Sequence, residues 1–186
     1  MRPTAIIKLA RLLVLLSLSP GFLCSSCSRV TIYKGGVLMS SDFDHFNGWI
    51  SDASSLTRDK AHSGAYSLVV KPGTEPSLRY DAVLGQLCSS RPDKIYVSAW
   101  VWRANSQDAA HIVVEIKDPD TGAPAFRDAI DLGKEVQQFN TWQRIGHAVA
   151  VPPMVSATSH MTIHVAAAGT GQPLYLDDLA LSLEDK

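Results

Sequence analysis

A series of short β-like runs, each closed by turn residues, constrains the fold of this chain most. The clearest run is residues 95–102 (IYVSAWVW), where aliphatic residues alternate with aromatic or polar ones, as in a strand with two unlike faces. Further runs cover residues 66–70, 111–117, 142–151, 161–167 and 174–183. No window beyond residue 40 shows the periodicity of a long amphipathic helix. The sequence therefore predicts an all-β antiparallel sandwich or barrel.

The first 26 residues have the pattern of a secretory signal peptide. Three cations, Arg2, Lys8 and Arg11, accompany the apolar run 12–18, which is too short for a stable transmembrane helix. An uncleaved N-terminal membrane anchor is the alternative. We expect three parts along the chain, which are a signal segment at 1–26, a tether at 27–36 and one folded domain at 37–186.

The three cysteines do not form the even, spread set of a disulfide framework. Residues 23–28 (LCSSCS) instead resemble a bacterial lipobox, which implies lipidation at Cys27. The protein is then exported and held by lipid in the bacterial cell envelope, at the outer membrane or cell surface. Ordinary secretion with cleavage nearby is the alternative. Cys88 is expected to act as a small buried apolar residue.

The charge balance gives no reason to expect nucleic acid as a partner. The chain has 17 Lys and Arg against 18 Asp and Glu, and three of its cations lie in residues 1–26. Loss of that segment leaves 14 basic and 18 acidic side chains, a mildly acidic domain. Such a domain has no overall basic field to attract a phosphate backbone.

Five segments in one order resemble the galactose-binding-like jelly rolls, and among them the carbohydrate-binding modules attached to bacterial glycanases. They are DFD with GW at 42–49, AHSGAYSL at 61–68, IYVSAWVW at 95–102, TWQR at 141–144 and YLDDLAL at 175–181. The resemblance covers about residues 37–184. It implies an antiparallel β-sandwich of jelly-roll type that binds a polysaccharide without catalysis.

The resemblance also implies a structural calcium ion, which such modules often hold between the opening acidic turn, the Ser-Gly turn and the final strand. Asp44 and Asp177 match the side-chain ligands, with Asp42 in reserve and backbone oxygens near Ser63 and Gly64 completing the set. Asp44 stands where the family more often has the longer glutamate. The alternative is that these aspartates only form turns or meet a cation.

Aromatic side chains on the predicted strand 95–102 form the expected ligand site. Tyr96, Trp100 and Trp102 fall on one face, opposite the aliphatic set, and rings of this kind stack on sugar rings. Trp102 is the better ligand candidate, because the resembled strand usually has a polar residue at that position. The alternative for Trp100 is burial under a loop or against residues 28–40. Polar side chains that could read sugar hydroxyls are Arg144, Gln143, Arg103 and Arg127.

Motifs of catalysis are missing from the sequence. It has no G-x-S-x-G, H-E-x-x-H, P-loop or G-x-G-x-x-G segment, and Glu115 has no evident carboxylate partner. His160 and His164 would lie about 13 Å apart on a strand, too far to share a metal ion. We therefore expect a binding module and not an enzyme. The alternative is a surface scaffold lipoprotein that uses the same fold to bind an envelope protein.

Overall fold

The computed structural model describes residues 36–45, 53–73, 78–168 and 171–183, and these form a sandwich of two antiparallel sheets. The strands are β1 (Val37–Ser41), β2 (Leu56–Thr57), β3 (Ser67–Val70), β4 (Arg79–Val83), β5 (Lys94–Trp102), β6 (Ala110–Lys117), β7 (Pro124–Asp131), β8 (Trp142–Ala150), β9 (His160–Ala167) and β10 (Leu174–Ser182). A 3-10 turn (Ala53–Ser55) and two single-turn helices, α1 (Leu84–Leu87) and α2 (Leu132–Glu135), complete the described elements. Within these ranges no helix is long and apolar enough to cross a membrane.

One sheet has six strands and the other has four. The six-stranded sheet runs β2-β3-β10-β5-β8, and β1 also pairs with β10. The four-stranded sheet runs β4-β9-β6-β7. Apart from the consecutive pairs β2–β3 and β6–β7, strands that are neighbours in a sheet are distant in the chain, as in a jelly roll. The predicted antiparallel β-sandwich is confirmed.

The core lies between the two sheets and follows from the alternation along each strand. On β5, Ile95, Val97, Ala99 and Val101 are buried and face the other sheet. The aliphatic residues of β6 and β9 face them from the four-stranded sheet; they are Ile112, Val114, Ile116, Met161, Ile163 and Val165. Each sheet therefore turns its remaining, mostly polar or aromatic, side chains outward.

A β-bulge interrupts the pairing of β10 with β5. The register shifts between Asp177 and Ala180, and Asp178 has a positive φ of 47°. Neighbouring residues on a regular strand point to opposite faces, but the bulge lets both aspartates face the same side. The two carboxylates can therefore both bind His62 and Ser63.

Two expectations from the sequence fall wholly or partly outside the described residues. The signal segment and the lipidation site Cys27 both precede residue 36. Trp49 of the resembled opening segment lies in the stretch 46–52, which the structure does not describe.

Cys88 is half buried against the core, and its thiol contacts the carbonyl oxygen of Leu84 at 3.4 Å. Burial raises the pKa of this thiol above its ordinary value.

Candidate functional site

The outer face of the six-stranded sheet carries the predicted aromatic site, and we call it the aromatic face. The structure brings Tyr96, Trp100 and Trp102 to this side of β5, as the alternation predicted. Arg144 of β8 lies opposite Trp100, and Trp142 lies opposite Trp102. The four predicted ligand residues therefore share one surface.

A covering segment, residues 60–65, lies over the two tryptophans of β5. The His62 ring stacks on Trp100 with centroids 3.9 Å apart and planes 14° apart. Lys60 Nζ lies 4.0 Å from the centroid of the Trp102 ring, and Tyr175 packs edge-on against the same ring at 5.5 Å. A sugar needs an open ring face for stacking, and this segment occupies one face of each tryptophan.

Two aspartates of the β10 bulge hold the covering segment in place. Asp177 Oδ2 accepts hydrogen bonds from the backbone N–H groups of His62 (2.7 Å) and Ser63 (3.1 Å), and its Oδ1 accepts one from Asp178 N (2.8 Å). Asp178 binds the His62 ring nitrogen Nδ1 and the Ser63 hydroxyl, both at 2.6 Å. His62 lies beside the predicted Ser-Gly turn, and nothing in the sequence pattern indicated that its ring covers Trp100.

Asp177 is the buried member of this pair, with 0% of its surface exposed. Burial raises the pKa of its carboxyl above the ordinary value, and hydrogen bonds from backbone N–H groups oppose that rise. The three N–H donors are therefore what makes a carboxylate tolerable at this position.

The residues predicted to hold calcium lie around the same covering segment, and Asp44 and Asp177 accept hydrogen bonds from its backbone. Asp44 accepts a hydrogen bond from Ala65 N at 3.0 Å, and Asp42 accepts one from Asp44 N at 3.1 Å. Gly64 has a φ of +54°, and a Cβ atom there would lie 1.8 Å from Asp44 Oδ2, so this position requires glycine.

No group of three or more His, Cys, Asp or Glu side chains in the described ranges could hold a metal ion. The carboxylates of Asp44 and Asp177 already accept hydrogen bonds from backbone N–H groups. The predicted calcium set also includes backbone oxygens, so the site stays a prediction, which metal titration tests.

The outer face of the four-stranded sheet, which we call the polar face, was not identified from the sequence. Its side chains alternate with core residues on all four strands. It is made up of Arg79, Asp81, His111, Val113, Glu115, Lys117, Arg127, His160, Thr162 and His164. Across the sheet, one row runs Asp81, Thr162, Glu115 and Arg127, and the next contains Arg79, His164 and Val113.

His164 lies between β4 and β6 near the middle of the polar face. Only 9% of its surface is exposed, and its Nδ1 is buried without a hydrogen-bond partner among the described residues. Burial lowers the pKa of its imidazole, and the Arg79 guanidinium lowers it further. A buried polar atom without a partner costs roughly 1–3 kcal/mol, so the ring keeps a hydrogen-bonding capacity that the protein does not use.

Two other predicted hydroxyl readers have structural roles. Arg103 is 2% exposed, and its guanidinium donates to the carbonyl oxygens of Asn105 and Gly133, each at 3.0 Å. Gln143 Oε1 accepts from the backbone N–H groups of residues 137 and 138. Arg127, in contrast, lies on the polar face, on the sheet opposite to the aromatic residues.

Comparison with known proteins identifies the fold. No family model matches the sequence, and no curated protein matches it. The C-terminal family 22 carbohydrate-binding module of Clostridium thermocellum Xyn10B superposes with a TM-score of 0.55 at 16% identity, covering 79% of this chain and 92% of that one. The fold is that of a family 22 carbohydrate-binding module.

A second solved structure agrees with this assignment. The second module of this family from Paenibacillus barcinonensis Xyn10C, described as a xylan-binding domain, superposes with a TM-score of 0.54 at 15% identity and covers 78% of this chain and 98% of that one. The five sequence segments predicted the fold of a carbohydrate-binding jelly roll, and the superposition on these two modules confirms that fold.

Proposed function

We propose that this protein is a non-catalytic glycan-binding module whose ligand lies across the polar face. Its fold is shared with carbohydrate-binding modules, one of which is described as a xylan-binding domain. The observation that carries the choice of face is the pair of exposed arginines, Arg79 and Arg127, on the outer strands either side of His164, a histidine with 9% of its surface exposed. Sugar hydroxyls accept hydrogen bonds from guanidinium N–H groups and also suit the exposed part of the imidazole ring.

The two faces of the sandwich differ in what they leave open for a ligand. On the aromatic face, Lys60 and His62 already lie against Trp102 and Trp100. On the polar face, Arg79 and Arg127 are exposed side chains on its two outer strands. The polar face therefore has free hydrogen-bonding groups. The second candidate site is the aromatic face, where a sugar would contact Tyr96, Trp100, Trp102 and Arg144. Stacking there first requires the covering segment to move away from the two tryptophans.

Substitution at His164 is expected to weaken glycan binding. We expect His164→Ala to lower the affinity for the bound glycan about tenfold, because a hydrogen bond inside the contact surface is lost. Trp102→Ala is expected to leave affinity unchanged. Isothermal titration of both variants against a glycan identified on an array measures this, with His45→Ala as the control, since His45 is an exposed histidine that contacts Asp42.

The reverse pattern would contradict the choice of face. If Trp102→Ala abolishes binding while His164→Ala retains it, the aromatic face is the site. If no polysaccharide binds to a chain that melts cooperatively, glycan binding is wrong and the scaffold alternative, with an envelope protein as partner, takes its place.

We further propose that the module is attached to a membrane of the bacterial envelope through a lipid on Cys27. The support is the lipobox-like segment 23–28 after an apolar signal segment. Cys27→Ser is expected to move the protein from the membrane fraction to the soluble fraction of an expressing bacterium. Mass spectrometry of the mature N-terminus reads the modification directly, and an unmodified N-terminus in the wild-type protein would contradict the proposal.

A further inference from the structure

Charge pairing on the polar face engages its two carboxylates but leaves two of its cations without partners. Asp81 Oδ2 accepts a hydrogen bond from the Thr162 hydroxyl at 3.0 Å, and its Oδ1 lies 3.5 Å from His160 Nδ1. Glu115 Oε1 lies 3.3 Å from Lys117 Nζ. Both carboxylates are therefore already engaged within the sheet.

The two arginines of this face are the groups that remain. Arg79 and Arg127 are exposed and form no hydrogen bond or ion pair with any residue in the described ranges. Arg79 of β4 lies opposite His164 of β9, and Arg127 of β7 lies opposite Glu115 of β6. Three inter-strand steps and an offset of two residues along the strands separate the two arginines, so the two backbones are about 16 Å apart.

We propose that the ligand of this module is an anionic glycan whose sugar carboxylates bind Arg79 and Arg127, while its hydroxyls meet His164. This inference rests on the proposed function and adds the chemical class of the ligand. A planar guanidinium binds a carboxylate through two parallel hydrogen bonds, which a neutral sugar cannot provide.

The separation of the arginines favours a polymer over a single sugar. A ligand that reaches both guanidinium groups must span more than one sugar ring and pass over His164, which lies one strand from Arg79. The two unpaired arginines are local positive charges, whereas the chain as a whole carries a net charge of −1. A local pair of free cations on an acidic protein selects an acidic partner by position and not by overall charge.

Matched polymers test the role of the carboxylates. The full chain is titrated with polygalacturonate, alginate and hyaluronan, and with each polymer after chemical reduction of its carboxyl groups to alcohols. We expect at least one native polymer to bind at least tenfold more tightly than its reduced form, and its binding to weaken as salt is raised.

Matched variants test the arginines. Arg79→Gln and Arg127→Gln are each expected to weaken binding of that native polymer about tenfold, and the double variant is expected to bring it to the level of the reduced form. Arg58→Gln is the control, because Arg58 is exposed and stacks on Tyr66 away from the polar face. Cooperative melting of each variant confirms that it is folded.

The possible failures are distinguishable. If reduced and native polymers bind equally and His164→Ala weakens both, the polar face is a glycan site but the ligand is neutral, and the anionic inference is overturned. If Arg58→Gln weakens binding as much as the polar-face variants, the effect is a general charge effect, and the assignment to Arg79 and Arg127 is wrong. If the array of neutral and acidic polysaccharides contains no ligand, the proposed function itself fails.

Discussion

Replacing Asp177 with alanine is expected to lower the free energy of unfolding by about 3 kcal/mol or more. The carboxylate is fully buried and accepts hydrogen bonds from the backbone N–H groups of His62, Ser63 and Asp178. Truncation leaves these donors without their acceptor. It also releases the segment that covers Trp100, so the tryptophan ring becomes exposed.

Urea unfolding followed by tryptophan fluorescence measures both consequences. Asp44→Ala is the matched control, since it removes an aspartate that binds the same segment through the exposed N–H group of Ala65, and its effect should be near 1 kcal/mol. Asp177→Asn keeps one acceptor oxygen and should lie between the two. Equal stability of Asp177→Ala and the wild type would show that this carboxylate does not hold the segment.

The same unfolding experiment tests the calcium prediction. Because Asp44 and Asp177 bind backbone N–H groups directly, we expect the wild-type midpoint to be the same in calcium and in chelator. A clear rise in the midpoint with calcium would mean that these side chains rearrange around an ion.

Replacing Asp108 with alanine is expected to destabilise the protein by a similar amount, about 3 kcal/mol. This buried carboxylate joins two loops at the end of the sandwich. Its Oδ2 accepts from the N–H groups of Ala104 (2.9 Å) and Asn105 (3.0 Å), and its Oδ1 accepts from Gln172 N (2.6 Å). Truncation leaves three backbone donors from two separate stretches of the chain without partners.

Chemical denaturation checks this prediction, and hydrogen exchange locates the damage. Asp93→Ala is the control, since its side chain is 90% exposed and pairs only with Arg91, and it should change the midpoint little. Exchange in Asp108→Ala should rise first at the amides of residues 104, 105 and 172. Exchange that rises uniformly over the molecule, with no early change in those loops, would contradict the assigned role.

The fold could be predicted from the sequence because its signals are local. Alternation along residues 95–102 identifies both faces of β5, and the segment order identifies the jelly roll. Strands β4 and β7 were missed, because residues 79–83 and 124–131 mix charged and apolar side chains without a clear apolar stripe. Their pairing with β9 and β6 decides their structure, and this depends on residues far away in the chain.

The candidate site was harder to predict for the same reason. Sequence alternation places Trp100 and Trp102 on one face, but only tertiary structure shows that His62 and Lys60 cover them. The polar face is assembled from four strands, each with one to three of its outward polar residues. Its one sequence signal was the H-x-x-x-H spacing of His160 and His164, which was considered for metal binding and set aside.

The most direct test of the account is to map the bound glycan onto the protein by NMR. The isotopically labelled full chain is titrated with the glycan that binds most tightly. We predict the largest shift changes at the backbone amides of Arg79, His164 and Arg127, with the indole N–H signals of Trp100 and Trp102 unchanged. Large changes at those indole signals, with the polar face unaffected, would contradict the account and place the ligand on the aromatic face.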